Sequence, residues 1–264
     1  MYGRNSTIRD LVVSSLHSYP DATASAFVDG SSWTFAEIGD VIAGLCDSFR
    51  KRGVVPGDRI ALLSENQPAW APVYLAAVCY GAVVVPILPD FSGDDVASIL
   101  EHSESRLVFA SRRQMEKLQI PGDSGRRIPE IRQVDAVLED YLGDRSAGQA
   151  EISPKERARR VLAALETYAA PGPDDTAAII YTSGTTGHSK GVELSHHNIA
   201  SNVESADHFA HIKRGEQMLS ILPLAHTYEC TLGMLIPFSR GAQVNYLSRP
   251  ASPSVLMKAM QSVQ

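Results

Sequence analysis

The residues best suited to chemistry are concentrated in one segment, Tyr181-Thr-Ser-Gly-Thr-Thr-Gly-His-Ser-Lys-Gly191. It combines hydroxyl side chains, glycines that let the backbone bend, and a lysine: Thr182, Ser183, Gly184, Thr185, Thr186, Gly187 and Lys190. Phosphate oxygens need several converging N–H and O–H donors together with positive charge, and a loop of this composition offers both. The segment is therefore predicted to bind phosphate. The alternative is a flexible loop without chemical consequence.

This loop differs from the phosphate-binding loop of Walker-type nucleoside triphosphatases. That pattern requires Gly-Lys-Ser/Thr beginning five residues after its first glycine. Counted from Gly184, the corresponding positions hold Ser189, Lys190 and Gly191, so the first and the last of them differ. A Walker-type nucleoside triphosphatase is therefore disfavoured.

Such a loop needs a rigid element on each side. Residues 176–181 are largely apolar and follow Pro173-Asp174-Asp175, so they are predicted as a buried strand, and residues 192–194 as a short strand after the loop. Ser195 then caps a helix. This order puts the loop at the carboxyl end of a sheet, the edge where open α/β folds bind ligands.

Strands and helices alternate through the first part of the chain. Strands are predicted at 59–63, 82–87 and 107–110, and helices at 35–51, 68–79 and 93–102, which indicates a parallel sheet with helices packed on it. The next stretch is polar and is interpreted as a peripheral excursion with one helix. The predicted organisation is a first α/β subdomain at 1–113, the excursion at 114–173, and a second α/β subdomain at 174–264 that carries the loop.

Composition excludes several classes of function. The formal net charge of −6 gives no reason to expect nucleic acid as a partner. The three cysteines are Cys46, Cys79 and Cys230. They lie far apart without Cys-x-x-Cys spacing, which indicates reduced thiols in a cytoplasmic protein. The histidine pairs at 196–197 and 208–211 lack neighbouring ligands at metal-binding spacing, so no metal site is predicted.

One uncharged segment, 69–88, has about the length of a membrane span. Pro72, Gly81 and Pro86 interrupt it, and no basic cluster flanks either end. The segment is therefore predicted as a buried helix that stops at Gly81 and continues as a strand, and no transmembrane segment is expected.

The loop also resembles the signature of a known superfamily, the AMP-forming acyl-adenylate enzymes, which comprise acyl-CoA synthetases, peptide-synthetase adenylation domains and luciferases. Further segments resemble the N-terminal half of the same superfamily: Trp33-Thr-Phe-Ala-Glu37, Gly53-Val-Val-Pro-Gly57-Asp58, Asn66-Gln-Pro-Ala-Trp70, Gly81-Ala-Val-Val-Val-Pro86 and Leu222-Pro-Leu-Ala-His226-Thr-Tyr-Glu229. One departure is Ser189, where the superfamily most often has proline. The resemblance covers nearly the whole chain.

The resemblance implies roles for individual residues. Thr182 through Gly187 and Lys190 would hold the phosphates of ATP and the leaving pyrophosphate. His226 would lie beside the acyl and adenylate pocket, with a loop histidine bonded to the backbone as the alternative. No catalytic residue is assigned within the chain. The implied fold is α/β, with largely parallel sheets and helices on both faces, and forms the N-terminal part of the superfamily's large domain.

The implied reaction uses ATP and Mg²⁺ to activate a carboxylate as acyl-AMP and coenzyme A to accept the acyl group. The motifs are most similar to long-chain fatty acyl-CoA ligases, whose partners are small molecules, and peripheral membrane contact is left open. Relatives carry further adenine, ribose and lysine motifs downstream, so the chain is expected to be an N-terminal fragment, inactive without its C-terminal domain. A non-catalytic nucleotide- or acyl-binding module is the alternative.

Overall fold

Two β-sheets and the helices around them make up the computed structural model, which describes residues 6–118, 129–143, 152–182 and 190–263, except for the side chain of His208. The strands are β1 (Thr23–Phe27), β2 (Ser32–Thr34), β3 (Arg59–Leu63), β4 (Val83–Ile87), β5 (Leu107–Ala110), β6 (Glu130–Gln133), β7 (Thr176–Thr182), β8 (Lys190–Ser195), β9 (Gln217–Leu219) and β10 (Gln243–Tyr246). The helices are α1 (Ile8–Ser18), α2 (Phe35–Lys51), α3 (Trp70–Tyr80), α4 (Gly93–His102), α5 (Val137–Leu142), α6 (Pro154–Glu166), α7 (His196–Ala210), α8 (Thr227–Glu229), α9 (Ile236–Arg240) and α10 (Pro253–Ser262).

Each sheet combines strands from distant parts of the chain. The first sheet has the order β2-β1-β10-β9, and the second has the order β6-β5-β3-β4-β7-β8. The hairpin pairs β1–β2 and β7–β8 are antiparallel, whereas the other strand pairs of the described residues are parallel. The predicted α/β class with largely parallel sheets is confirmed.

Alternate residues of the central strands bury opposite faces of the second sheet, as the two-residue period of a strand requires. On β3, Ile60 and Leu62 join the large core cluster that includes α2 and α3. Ala61 and Leu63 join a second cluster, to which α4 contributes Val96 and other residues. Helices therefore cover both faces, as predicted.

The uncharged segment forms a buried helix followed by a strand, as predicted. Every residue of α3 is buried, and Gly81 ends the helix in a left-handed conformation with φ of 86°. β4 follows at once and is buried along its whole length. Within the part of the chain that the structure describes, no helix is long and apolar enough to cross a membrane.

The polar region between residues 114 and 173 contributes a strand that the sequence pattern does not predict. β6 lies at the edge of the second sheet, parallel to β5, and its exposed or half-exposed residues lack the apolar alternation that marks a strand. The predicted helix is present as α6, which packs on α2 through Ala158, Val161 and Leu165. The proposed boundaries at 113 and 173 stay predictions.

The segment from 223 to 240 begins its helix earlier than expected. A loop is predicted to residue 229, but α8 starts at Thr227 and leads through a π-helical turn, Cys230–Leu235, into α9. The side chain of His226 caps this start, a feature that sequence spacing does not reveal. α9 ends at Gly241, whose φ of 70° is one that glycine adopts readily.

Candidate functional site

The predicted phosphate loop connects β7 to β8, the two strands of a hairpin. Thr182 and Lys190 are both exposed, and they face each other as the last pair of this antiparallel ladder. Five of the predicted phosphate-binding residues lie outside the described residues: Ser183, Gly184, Thr185, Thr186 and Gly187. The hairpin thus brings the lysine and the first hydroxyl of the loop together, although they are eight positions apart in sequence.

Tyr181 anchors the start of the loop. Its side chain is only 4% exposed, and its hydroxyl lies 2.6 Å from Nδ1 of His102 at the end of α4. Burial raises the pKa of the Tyr181 hydroxyl. Gly191 of β8 lies directly opposite Tyr181 of β7. A Cβ atom on Gly191 would lie 2.8 Å from Cγ2 of Ile179 and 3.2 Å from Cζ of Tyr181. The glycine after Lys190 is therefore required for the two strands to approach each other.

The hairpin opens at the carboxyl edge of the second sheet. β7 runs parallel to β4 and pairs with it at Val84 and Ala178, so the two strands end at the same edge of the sheet. Neighbouring strands lie about 4.8 Å apart, so the loop leaves the sheet beside the segment that follows β4. The carboxyl ends of β3 and β5 meet at this edge too, because these strands are also parallel.

Glu65 is a charged residue at this edge that sequence reasoning did not single out. Its carboxylate accepts hydrogen bonds of 2.6 Å from Ser111 Oγ and 2.6 Å from Gln114 Nε2. Burial by itself would raise the pKa of Glu65, but these hydrogen bonds outweigh it and the pKa is lowered. A carboxylate is thus held ionised at the carboxyl end of β3.

A cleft of about 520 Å³ opens between the carboxyl edges of the two sheets. The second sheet contributes Glu65, Asn66 and Arg113, and the first contributes Phe27 and Ser220. Both sheets of an α/β protein present ligand-binding loops at their carboxyl edges, and clefts of this size hold small molecules. The cleft and the end of the β7–β8 hairpin at the same edge of the second sheet are therefore the candidate site.

His226 lies in the segment that follows β9 at the same edge of the first sheet. It is exposed, and its Nδ1 accepts a hydrogen bond of 3.3 Å from the backbone N–H of Tyr228. The backbone-bonded alternative is therefore present in the structure, and this bond assigns the ring proton to Nε2. The role of His226 beside an acyl and adenylate pocket stays a prediction.

An apolar groove of about 470 Å³ lies beside His226, between α7 and the turn that begins with α8. Two aromatic side chains stand out on it: Phe209 is 85% exposed and Tyr228 is 58% exposed. Ala206 and Leu232 add apolar surface, while Asn202 and Ser205 add polar groups. Exposed apolar surface of this kind in one concave place is typical of a ligand groove.

Glu229 forms the floor behind this segment. It is 7% exposed, and Ser220 Oγ donates a hydrogen bond of 3.1 Å to its Oε1. Burial raises the pKa of Glu229. Gly233 leaves the space for this carboxyl group, because a Cβ atom there would lie 2.5 Å from Glu229 Cδ. The π-helical turn is thus built around a buried carboxyl group.

A larger cavity of about 710 Å³ lies along the face of the hairpin instead of at its open end. Its walls include the strand starts at Arg59 and Val83 as well as Ile179 and Glu193. The carboxyl edge is kept as the candidate site because the loop leaves and re-enters the sheet there; Thr182 and Lys190 themselves line neither this cavity nor the cleft.

The histidine pair at 196–197 forms part of the packing and backbone bonding at the start of α7. His196 is fully buried at the first position of α7, and its ring nitrogens have no hydrogen-bond partner among the described residues. His197 donates its backbone N–H to Pro173 O at 2.8 Å. Among the residues that the structure describes, no group of three or more His, Cys, Asp or Glu side chains is arranged to hold a metal ion.

Known proteins resemble this chain over most of its length. The profile of the AMP-binding enzyme family matches residues 13–264. The chain is 31% identical over 203 residues to long chain acyl-CoA synthetase 7, peroxisomal, of Arabidopsis thaliana, covering 75% of this chain and 29% of the relative. It is 31% identical over 206 residues to the long-chain-fatty-acid–CoA ligase FadD15 of Mycobacterium bovis, covering 76% of this chain and 33% of the relative.

Solved structures share the fold. The inhibitor-bound N-terminal domain of FACL13 from Mycobacterium tuberculosis superposes with a TM-score of 0.77 at 22% identity, over 96% of this chain and 60% of that one. Identity at this level supports the fold alone. The chain spans about a third of the length of the curated relatives it matches.

Proposed function

Because the chain belongs to the AMP-binding enzyme family, we propose that the whole protein activates a carboxylic acid with ATP and passes the acyl group to coenzyme A. The observation that carries this proposal is the pairing of Thr182 with Lys190 at the open end of the hairpin. It puts a hydroxyl at one end of the Gly/Ser/Thr loop and a cation at the other end, at the carboxyl edge of the sheet. Ser183, Gly184, Thr185, Thr186 and Gly187 complete the proposed phosphate site.

The proposed reaction has two steps. A carboxylate oxygen of the acid attacks the α-phosphorus of ATP, the bond from that phosphorus to the bridging oxygen breaks, and pyrophosphate leaves. The thiol of coenzyme A then attacks the acyl carbon, loses its proton, and displaces AMP. The acid is ionised at neutral pH, so the first step needs no general base.

Lys190 stabilises the negative charge that grows on the leaving pyrophosphate, as cations fixed in place do in phosphoryl chemistry. Thr182 donates its hydroxyl to a phosphate oxygen at the other end of the loop. Mg²⁺, when bound to the nucleotide, neutralises further phosphate charge. The described residues fit such a phosphate site, because both side chains are exposed and project from paired strand ends that fix their spacing.

A long-chain fatty acid is the proposed substrate class. Two relatives at 31% identity are named as a long-chain acyl-CoA synthetase and a long-chain-fatty-acid–CoA ligase. The groove formed by Ala206, Phe209, Tyr228 and Leu232 offers the apolar surface that an acyl chain requires. His226 stands at the start of α8, beside this groove, and is proposed to face the adenylate end of the acyl group.

The test is ATP–pyrophosphate exchange by the whole protein with palmitate, with acetate and without acid. The expected result is exchange that depends on palmitate, followed by palmitoyl-CoA formation when coenzyme A is added. If neither palmitate, nor acetate, nor a longer-chain acid supports pyrophosphate exchange, the proposal is overturned. If the protein binds ATP or palmitate saturably in calorimetry but never exchanges pyrophosphate, it is a binding module instead.

The cytoplasmic location stays a prediction. One of the relatives is peroxisomal by name. Fractionation of cells that express the whole protein, with activity and antibody detection in each fraction, distinguishes the two locations and also detects peripheral association with membranes.

A further inference from the structure

We infer that Asn66 is a positioning residue whose side-chain amide holds the segment 220–226, and with it His226, against the carboxyl edge of the second sheet. Asn66 follows β3 in the second sheet, whereas the segment follows β9 in the first sheet. The inference rests on the proposed function in one respect, namely that the segment ending in His226 forms part of the acid site.

The amide group of Asn66 directs both of its N–H donors and one acceptor site of its oxygen toward this one segment. Its Nδ2 donates to Ser220 Oγ at 2.8 Å and to Leu222 O at 2.6 Å. Its Oδ1 accepts from the backbone N–H of Leu224 at 2.8 Å. Two of these partners are backbone groups, one acceptor and one donor, so the orientation of the amide is determined.

The hydrogen bonds continue from Asn66 to the start of the π-helical turn. Ser220 Oγ accepts from Asn66 and donates to the buried Oε1 of Glu229. Asn66, Ser220 and Glu229 therefore form one directed chain that reaches both ends of the segment carrying His226 and Tyr228. The bond from Ser220 to Glu229 is buried and the bond from Asn66 to Ser220 is partly buried, so the chain fixes its members more firmly than isolated surface bonds would.

Apolar burial alone does not account for the path of this segment. Ile221 is 40% exposed and Leu222 is 51% exposed, so neither anchors the backbone, and the buried residues Leu224 and Ala225 come only afterwards. The bonds from Asn66 fall on the poorly packed part. Hydrogen bonding therefore holds this stretch, and Asn66 supplies three of the bonds, beside the bond from the Ser220 N–H to Asn245 O.

The first test is hydrogen exchange of the whole protein, read by mass spectrometry in the peptide 220–226. Asn66→Ala is expected to raise the exchange rate of this peptide roughly tenfold or more, because the Leu224 amide loses its acceptor. Exchange in β3 should stay at the wild-type rate. Gln67→Ala is the matched control, since its amide bonds to Ser64 within its own loop at 2.8 Å.

Wild-type exchange over 220–226 in Asn66→Ala would overturn the inference. If that variant exchanges rapidly throughout both sheets, Ser220→Ala decides, because it removes the link between Asn66 and Glu229 and leaves the amide of Asn66 in place. Faster exchange confined to residues 220–229 in Ser220→Ala supports the inference, and wild-type exchange there contradicts it.

The second test separates positioning from a general loss of structure. In Asn66→Ala, the KM for palmitate is expected to rise roughly ten- to a hundredfold, while the KM for ATP stays near the wild-type value. An equal rise in the KM for palmitate and in the KM for ATP would indicate a purely structural role. If the wild-type protein adenylates no acid, the proposed function fails, and the exchange experiment still decides whether Asn66 holds the segment.

Discussion

Nδ1 of His102, at the end of α4, lies 2.6 Å from the hydroxyl of Tyr181, and the two rings meet edge to face with centroids 5.7 Å apart. Tyr181 immediately precedes Thr182, where the phosphate loop leaves β7. The contact therefore ties the start of that loop to a helix on one face of the sheet. A loop that must present several donors to phosphate benefits from such a fixed starting point.

The pair is expected to couple in stability. Tyr181→Phe and His102→Ala should each lower the free energy of unfolding, and the double variant should lose about 1 kcal/mol less than the sum of the two. Urea denaturation of the four proteins gives the coupling energy. Strictly additive losses would mean that the hydrogen bond contributes nothing to stability.

Lys190 is expected to act on catalysis and not on folding. Lys190→Ala should lower kcat for ATP–pyrophosphate exchange by roughly a hundredfold, since a fixed cation near the leaving group is removed. Lys190→Arg should recover part of this rate because it keeps the charge. Since the side chain is exposed, the free energy of unfolding should change by less than about 0.5 kcal/mol.

Lys213→Ala is the matched control for the lysine variants. Lys213 is exposed near the amino end of β9, at the opposite edge of the first sheet. Its loss should leave the exchange rate unchanged. Equal loss of activity in both alanine variants would point to overall charge and would contradict a specific role for Lys190.

Gly191 is expected to be intolerant of any side chain. Gly191→Ala would bring a Cβ atom to 2.8 Å from Ile179, so β8 must move away from β7, at a cost of about 1–3 kcal/mol. The displacement also moves Lys190 and should weaken ATP binding, which calorimetry measures. Gly93→Ala is the control, because a Cβ atom there meets its nearest neighbours at 3.9 Å.

Local signals in the sequence were sufficient for the central strands and their helices. β3, α4 and β5 have the predicted bounds, because capping residues and apolar runs mark where they begin and end. Thr34 and Glu37 form a capping box at the start of α2, in which each side chain accepts a hydrogen bond from the other residue's backbone N–H. β6 escaped prediction because an edge strand that is half exposed needs no apolar alternation.

The candidate site was predictable in its residue types but not in its contacts. The loop and His226 follow from the motif, whereas the bond from Tyr228 N–H that orients His226 depends on where α8 begins. The contacts of Asn66 span 154 to 158 positions in the chain. Contacts at that separation arise only once both sheets have formed, and no local pattern records them.

The pH dependence of stability is expected to depend on His196. Burial lowers the pKa of His196 from 6.5 to about 4, although Asp175 and Asp10 oppose this shift. Between these values the unfolded chain binds a proton that the folded protein does not. The contribution that unprotonated His196 makes to stability is therefore fully present above pH 6.5 and is lost as the pH falls toward 4.

Urea denaturation at pH 7 and pH 5 measures this effect. Across this interval the wild-type free energy of unfolding should fall by about 2 kcal/mol more than that of His196→Leu, which has no group to protonate. His197→Gln should keep the wild-type dependence, because His196 is still present. Equal pH dependence in the wild type and His196→Leu would mean that His196 is protonated in the folded protein at pH 5, which would require a partner for its ring that the described contacts do not include.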